Sequence, residues 1–146
     1  MTLQNLVRIG WLKPHVAEPV EIVRLLSAAE RALKDAGEKA LSADSRLDLA
    51  YRAVMQSAFV AMLANGFRPS TSEPGHHQVL IQGLAKTIGL PPERLQTLEA
   101  YRAARNQSDY RGVPVSDSVA AECVDDARRL LDDVRAWLQA KRADLL

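Results

Sequence analysis

The sequence has 146 residues, 47% hydrophobic and 25% charged, which predicts one globular domain over residues 1–146 and excludes a disordered chain. Its 19 basic and 18 acidic residues leave a net charge of +1, which excludes a uniformly basic surface and restricts any nucleic-acid contact to a local patch. One cysteine excludes an internal disulfide, and no long apolar run occurs, so we expect a soluble, cytoplasmic protein with no signal peptide and no membrane contact.

The first half of the chain predicts one short helix and two long ones. Thr2 can cap a short helix that Gly10 ends. The next helix spans about 19–36, with apolar residues in steps of three and four at Ile22, Leu25, Leu26, Ala29 and Leu33. A longer helix follows over about 42–64, capped by Ser42 or Asp44. Residues 65–75 are rich in Gly, Pro and Ser and predict a loop.

The second half predicts three further helices, over about 76–88, about 92–111 and from Ser116 or Asp117 to near the C-terminus. The last has an apolar seam that includes Cys123, which we interpret as a small core residue. No segment shows the alternation of a strand. The expected fold is all-α, an up-and-down antiparallel four-helix bundle core with a short N-terminal helix.

One helix face departs from the pattern of a core. Leu95, Leu98, Arg102 and Arg105 follow steps of three, four and three, so the arginines continue the face that the leucines begin. An unpaired buried charge is costly, which leaves three alternatives. The arginines are solvated at the end of the bundle, pair with carboxylates on neighbouring helices, or line a cleft or subunit interface that meets an anion.

The residues after Arg105 add further polar chemistry. Arginine is well shaped to hold phosphate, asparagine adds donors and acceptors, and tyrosine can stack on a base. An ordinary solvated helix end with the same residue types is the competing interpretation. The candidates for binding RNA or a nucleotide are Arg102, Arg105, Asn106, Asp109, Tyr110 and Arg111.

The string Arg102-x-x-Arg105-Asn106-x-x-Asp109-Tyr110-x-Gly112, followed by an amphipathic helix, resembles the HEPN domains. These are helical bundles found with minimal nucleotidyltransferases, in toxin–antitoxin pairs and in RNA-cutting defence proteins. Residues 45–51 resemble the second-helix segment of the family, and residues 66–69 and 75–77 resemble its next loop and helix start. The resemblance covers about residues 15–140.

The resemblance implies a homodimer that brings the two copies of this motif together to bind RNA or a nucleotide, with a nucleotidyltransferase or an antitoxin as partner. Its active form would be a metal-independent endoribonuclease with Arg105, Asn106 and Tyr110 as catalytic candidates. The usual mark of the family is an Arg, a polar residue that is often Asn, a few variable residues and then a His, the motif histidine. Arg105 and Asn106 match the first half, but no His follows, and Tyr110 stands at the closest spacing for it. A tyrosine, with an ordinary pKa of about 10 against about 6.5 for histidine, is a poor general base at pH 7. The sequence therefore favours binding over cleavage.

The other candidate groups are few. The three histidines, His15, His76 and His77, lack the spacing of a zinc site, so we expect neither a metal nor a cofactor. His76 and His77 are expected at a partly exposed helix start; the alternative is that one of them faces Arg105 and replaces the motif histidine. The competing function is a non-catalytic homodimeric helical interaction module, in which the arginines pair with carboxylates such as Asp109 of the partner subunit.

Overall fold

The structure of the protein, a computed structural model, describes residues 2–72 and 75–146. Within them the chain forms six α-helices: α1 (Leu3–Arg8), α2 (Pro19–Ala36), α3 (Ala43–Ala64), α4 (His76–Thr87), α5 (Pro92–Arg111) and α6 (Asp117–Lys141). A single 3₁₀ turn, Ala143–Leu145, follows α6. The predicted all-α class is confirmed, and each helix lies where its apolar periodicity placed it.

Short polar side chains cap three of the helices, as predicted. The hydroxyl of Thr2 accepts from the backbone N–H of Asn5 at 3.0 Å at the start of α1. Ser42 caps α3 and Ser116 caps α6 through hydrogen bonds of the same kind. These bonds satisfy N–H groups that have no partner inside a helix, and so they set where each helix begins.

Two short strands were not predicted. β1 (Leu12–Pro14) and β2 (Phe67–Pro69) pair antiparallel, with Lys13 opposite Arg68. The expectation of no strand was wrong because three residues are too few to show alternation, and each strand ends in a proline that cannot donate to a ladder. The predicted loop over residues 65–75 therefore contains β2, and its residues 73 and 74 lie outside the described residues.

Helix α3 forms the centre of the fold. It packs against α2, α4, α5 and α6, and most of its side chains are buried. The predicted four-helix core is not confirmed, since four long helices surround this fifth one. In α3 the most apolar stretch has a mean hydropathy of 1.2, enough for a membrane span by composition, but 72% of that stretch is buried inside the domain. It is therefore the core helix of a soluble protein.

Helix α5 is tied to its neighbours mainly along its first half. Leu95, Leu98 and Tyr101 are buried against the core. The Tyr101 hydroxyl donates to the Asp126 carboxylate, and Arg94 pairs with Asp133, both on α6. The second half of α5 has no fully buried side chain, which leaves its polar residues beside α3 and α4.

A basic cavity between α3, α4 and α5

A cavity of about 540 Å³ opens between α3, β2, the start of α4 and the second half of α5. Its size is in the range of pockets that hold small ligands. Its wall contains both apolar and polar side chains, which belong to Leu25, Asp48, Tyr51, Arg52, Met55, Gln56, Phe59, Arg68, Pro69, Thr71, His76, His77, Leu80 and Arg105.

Arg105 brings α5 to this cavity. Its guanidinium carbon lies 5.2 Å from the centroid of the Tyr51 ring, within the range of a cation–π contact. Its Nε lies 3.7 Å from Oδ1 of Asp48 and 3.4 Å from Oδ2 of Asp109. Both separations exceed those of a charge-assisted hydrogen bond, about 2.7–2.9 Å, so neither carboxylate holds the guanidinium tightly. Arg105 is therefore positioned by the ring of Tyr51, and the carboxylates of Asp48 and Asp109 lie near it without hydrogen-bonding to it.

The carboxyl of Asp48, beside Arg105, ionises less readily than in water. Burial raises the pKa of the Asp48 carboxyl, and the charge of Asp109 raises it further, against the opposing effect of Arg105. A raised pKa means that ionised Asp48 is less favoured here than in water.

His77 and Tyr51 form a polar pair in the same cavity. The Tyr51 hydroxyl lies 3.3 Å from Nδ1 of His77, and the ring of His76 meets that of His77 edge-on at 4.8 Å. Burial lowers the pKa of His77, with smaller contributions from His76, Arg105 and Arg102. Burial also raises the pKa of Tyr51 to about 12, so its O–H stays available to donate to Nδ1. The lowered pKa favours the neutral imidazole form of His77.

The charges lining the cavity are mainly basic. Arg52, Arg68 and Arg105 contribute three cations, against the one carboxylate of Asp48. Within residues 2–72 and 75–146, neither Arg52 nor Arg68 makes an ion pair. The net charge of the chain is only +1, which excludes a uniformly basic surface but allows a local basic patch such as this one.

The other predicted site residues lie around the cavity rather than in it. Arg102 donates from Nε to Oε2 of Glu99 on its own helix, at 2.7 Å. Asn106 is partly buried, and Arg111 is the exposed last residue of α5. Tyr110 is 82% exposed. Arg102 pairs within its own helix, which was not among the three alternatives, whereas Arg105 lines a cavity, as the third alternative proposed for both arginines.

Several lining residues were not among the predicted site residues: Asp48, Tyr51, Arg52, Gln56, Arg68, His76 and His77. The two histidines lie at the partly exposed start of α4, as expected, and both also line the cavity together with Arg105; that one of them replaces the motif histidine stays a prediction. For Asp48, Tyr51 and Arg68 the sequence carried a signal, whereas Arg52 and Gln56 lie outside the segments that resembled the family. The four strings that carried the family resemblance, residues 45–51, 66–69, 75–77 and 102–112, each supply at least one lining side chain.

The remaining reactive groups lie elsewhere. No group of three or more His, Cys, Asp or Glu side chains gathers among the residues that the structure describes. Cys123 is wholly buried in α6, and burial raises the pKa of its thiol to about 12. The thiol therefore stays neutral, which confirms Cys123 as a core residue.

The domain is all-α, and the four segments that resemble the HEPN family each contribute a side chain to this basic cavity. Together these two observations define the class of protein. The model of the HEPN domain family matches residues 22–137, from α2 into α6. The chain belongs to the HEPN domain family. Among curated proteins, none matches the sequence at a significant level.

Proposed function

We propose that this HEPN-domain protein binds RNA or a nucleotide through phosphate held in the cavity at Arg105. The observation that carries the proposal is the lining itself, in which three arginines and two histidines face one carboxylate in a space of about 540 Å³. Phosphate is the anion that guanidinium groups hold best, through paired N–H bonds. An anionic ligand would also reduce the electrostatic repulsion among the three arginines.

Arg105 is suited to be the primary phosphate ligand. Its side chain is 30% exposed, so part of its hydration is already lost, and it makes no hydrogen bond to any described residue. The terminal nitrogens are therefore available for bidentate binding. Asp48 and Asp109 orient the guanidinium from a distance and would yield to a phosphate.

The residues outside the cavity fit a longer ligand or a second subunit. Arg102, Asn106, Tyr110 and Arg111 all lie on the second half of α5. In a homodimer with these helices adjacent, Asn106 would orient the phosphate and Tyr110 would stack on a base. A nucleotidyltransferase or antitoxin partner and a cytoplasmic location belong to the same proposal, and they rest on family membership.

The proposal is for binding without cleavage. Tyr110 stands at the spacing of the motif histidine, but its side chain is 82% exposed and does not line the cavity. It is therefore badly placed to take a proton from a ligand bound at Arg105. His77 is the group whose position would support cleavage, since its lowered pKa favours the neutral form and it shares the cavity with Arg105.

Binding of a single-stranded RNA oligomer to wild-type protein and to Arg105→Ala tests the proposal. We expect at least a tenfold loss of affinity in Arg105→Ala, because a charge-assisted phosphate contact contributes about 1.5–3 kcal/mol. The matched control is Arg31→Ala, which removes an exposed arginine of α2 outside the cavity. Equal affinity in the two variants would refute the site.

The same RNA, incubated with wild-type protein and a chelator, reports on cleavage. We expect the RNA to remain intact. Cleavage by the wild type that is lost in His77→Ala would contradict binding without cleavage and would make His77 the acid–base group.

A second candidate function is the homodimeric interaction module. The observation that favours it is the pairing of Arg102 with Glu99, which leaves that arginine satisfied without a ligand. The exposed Tyr110 would then contact the partner subunit instead of a base. This function predicts a dimer that binds neither RNA nor nucleotide.

A further inference from the structure

Gln56, on α3, carries an amide that the fold does not satisfy. Its side chain lines the cavity, yet its Oε1 is buried and has no hydrogen-bond partner among the described residues. A buried amide oxygen without a partner destabilises the folded state, and such groups in native proteins call for an explanation. Ser57 and Thr87 also carry unpaired buried oxygens, but neither lines the cavity.

The position of Gln56 relative to Arg105 is informative. Arg105 meets α3 at Asp48 and Tyr51, and Gln56 lies five residues beyond Tyr51, about 7.5 Å further along the helix axis at 1.5 Å per residue. On α3, Gln56 lies among cavity-lining residues that include the apolar Met55 and Phe59 and, one turn earlier, Arg52. The cavity thus has Arg105 near Asp48 and Tyr51, and an amide with apolar neighbours further along α3. A nucleotide has the same order, with its phosphate at one end and a flat base with a polar edge at the other.

We propose that the Gln56 side-chain amide hydrogen-bonds the edge of a nucleobase whose phosphate is held at Arg105. This inference rests on the proposed function. The terminal torsion of glutamine is broad, so rotation can present the amide oxygen or nitrogen to the cavity. A glutamine amide matches an amine and a ring nitrogen of adenine at once. Met55 and Phe59 would contact the faces of the base, as apolar and aromatic side chains do in single-strand binding sites.

Binding of AMP and of ribose 5-phosphate, measured by calorimetry, tests this role. The two probes share the sugar phosphate and differ in the base. We expect wild-type protein to bind AMP about tenfold more tightly, because one or two added hydrogen bonds and the apolar contact of the base act together. In Gln56→Met, which keeps the length of the side chain and removes the amide, this preference should fall about three- to tenfold while the affinity for ribose 5-phosphate stays unchanged.

The control is Gln139→Met, an exposed glutamine of α6 outside the cavity, which should behave as the wild type. If Gln56→Met unfolds, Gln56→Leu serves as the second variant, and circular dichroism reports the folding of both. An unchanged preference for AMP in a folded Gln56 variant would overturn the inference while leaving phosphate binding at Arg105 intact. Failure of the wild type to bind AMP, ribose 5-phosphate and RNA would overturn the proposed function and this inference together.

A parallel measurement distinguishes a free nucleotide from a nucleotide unit of RNA. It compares the binding of a short oligoadenylate with that of the same oligomer containing one abasic position. An effect of Gln56→Met on AMP identifies a free nucleotide as a ligand. An effect on the oligomer alone identifies a nucleotide unit of RNA, and either result supports base contact by Gln56. No effect on any of these ligands would overturn it.

Discussion

At the scale of single residues, the cavity depends on how burial changes the chemistry of a few side chains. Tyr51 is buried, supports the Arg105 guanidinium with its ring and directs its hydroxyl at His77. The same burial disfavours a charge on His77. Because burial disfavours a charge on His77, Arg105 is the main positive group in this part of the cavity.

The protonation of His77 can be measured directly. Because burial and the neighbouring cations lower its pKa, we expect His77 to titrate below the ordinary value of 6.5 in an NMR titration. In Arg105→Ala the pKa should rise, but only in part, since burial is the largest cause and remains. Titration at or above 6.5 in the wild type would contradict the burial of this ring.

This titration also affects stability. A lowered pKa means that the unfolded chain binds a proton at His77 more readily than the folded one, so the free energy of unfolding falls as the pH drops through 6.5. Urea unfolding of the wild type at pH 7.0 and 5.5 should show this loss. His77→Gln should lose less stability between the two pH values, and an equal loss in both proteins would assign the effect to other groups.

At the scale of elements, the site depends on the close approach of α4 to α3. Gly83 is buried in α4 where a Cβ atom would lie 2.7 Å from Cε of Met62. The absence of a side chain at Gly83 allows α4 to pack closely against α3. Helix α4 carries His76 and His77 in its first turn. The glycine therefore weakens its own helix but permits the packing that borders the cavity.

Substitution of Gly83 tests this packing. Gly83→Ala should change the free energy of unfolding little, because a gain in helix propensity of about 0.5–1 kcal/mol offsets a contact with the flexible end of Met62. Gly83→Val should destabilise by about 1–3 kcal/mol, since its additional methyl groups overfill the interface. Urea denaturation measures both, and equal stability of the two variants would show that the interface has room.

At the scale of the whole molecule, the second half of α5 offers an unpartnered surface. Tyr110 is 82% exposed and Val113 46% exposed at the end of this helix, where Gly112 turns the chain with φ of 66°. A large exposed aromatic side chain is typical of an interface residue. Both functions proposed for the protein include a homodimer built at this end of α5.

Light scattering coupled to size exclusion tests that dimer. We expect the wild type to be dimeric at micromolar concentration and Tyr110→Ser to shift towards monomer, because an interface aromatic residue often contributes 2 kcal/mol or more. The exposed tryptophan substitution Trp11→Ser is the control, since Trp11 lines a groove with Leu95 in the first turn of α5, at the other end of that helix from Tyr110. A monomeric wild-type protein would contradict both functions as stated.

The sequence predicted the helices well because each one shows its own periodicity and carries local signals at its ends. Ser42 and Ser116 cap helices through neighbours three residues away, so the information is local. The two strands were not predicted, because each pairs with a distant segment; the partner of Leu12, for example, is Pro69. Pairing between distant residues leaves no pattern within three residues.

By itself, the sequence determined the all-α class, the positions of the helices and the family, and it drew attention to Arg105. Only the tertiary structure decided that Arg105, Asp48, Arg68 and His77 share one cavity while Tyr110 lies outside it. The reason is physical. Helix formation depends on neighbours within about four residues, whereas a cavity depends on how α3, α4 and α5 pack, and that packing is set by contacts across the whole chain.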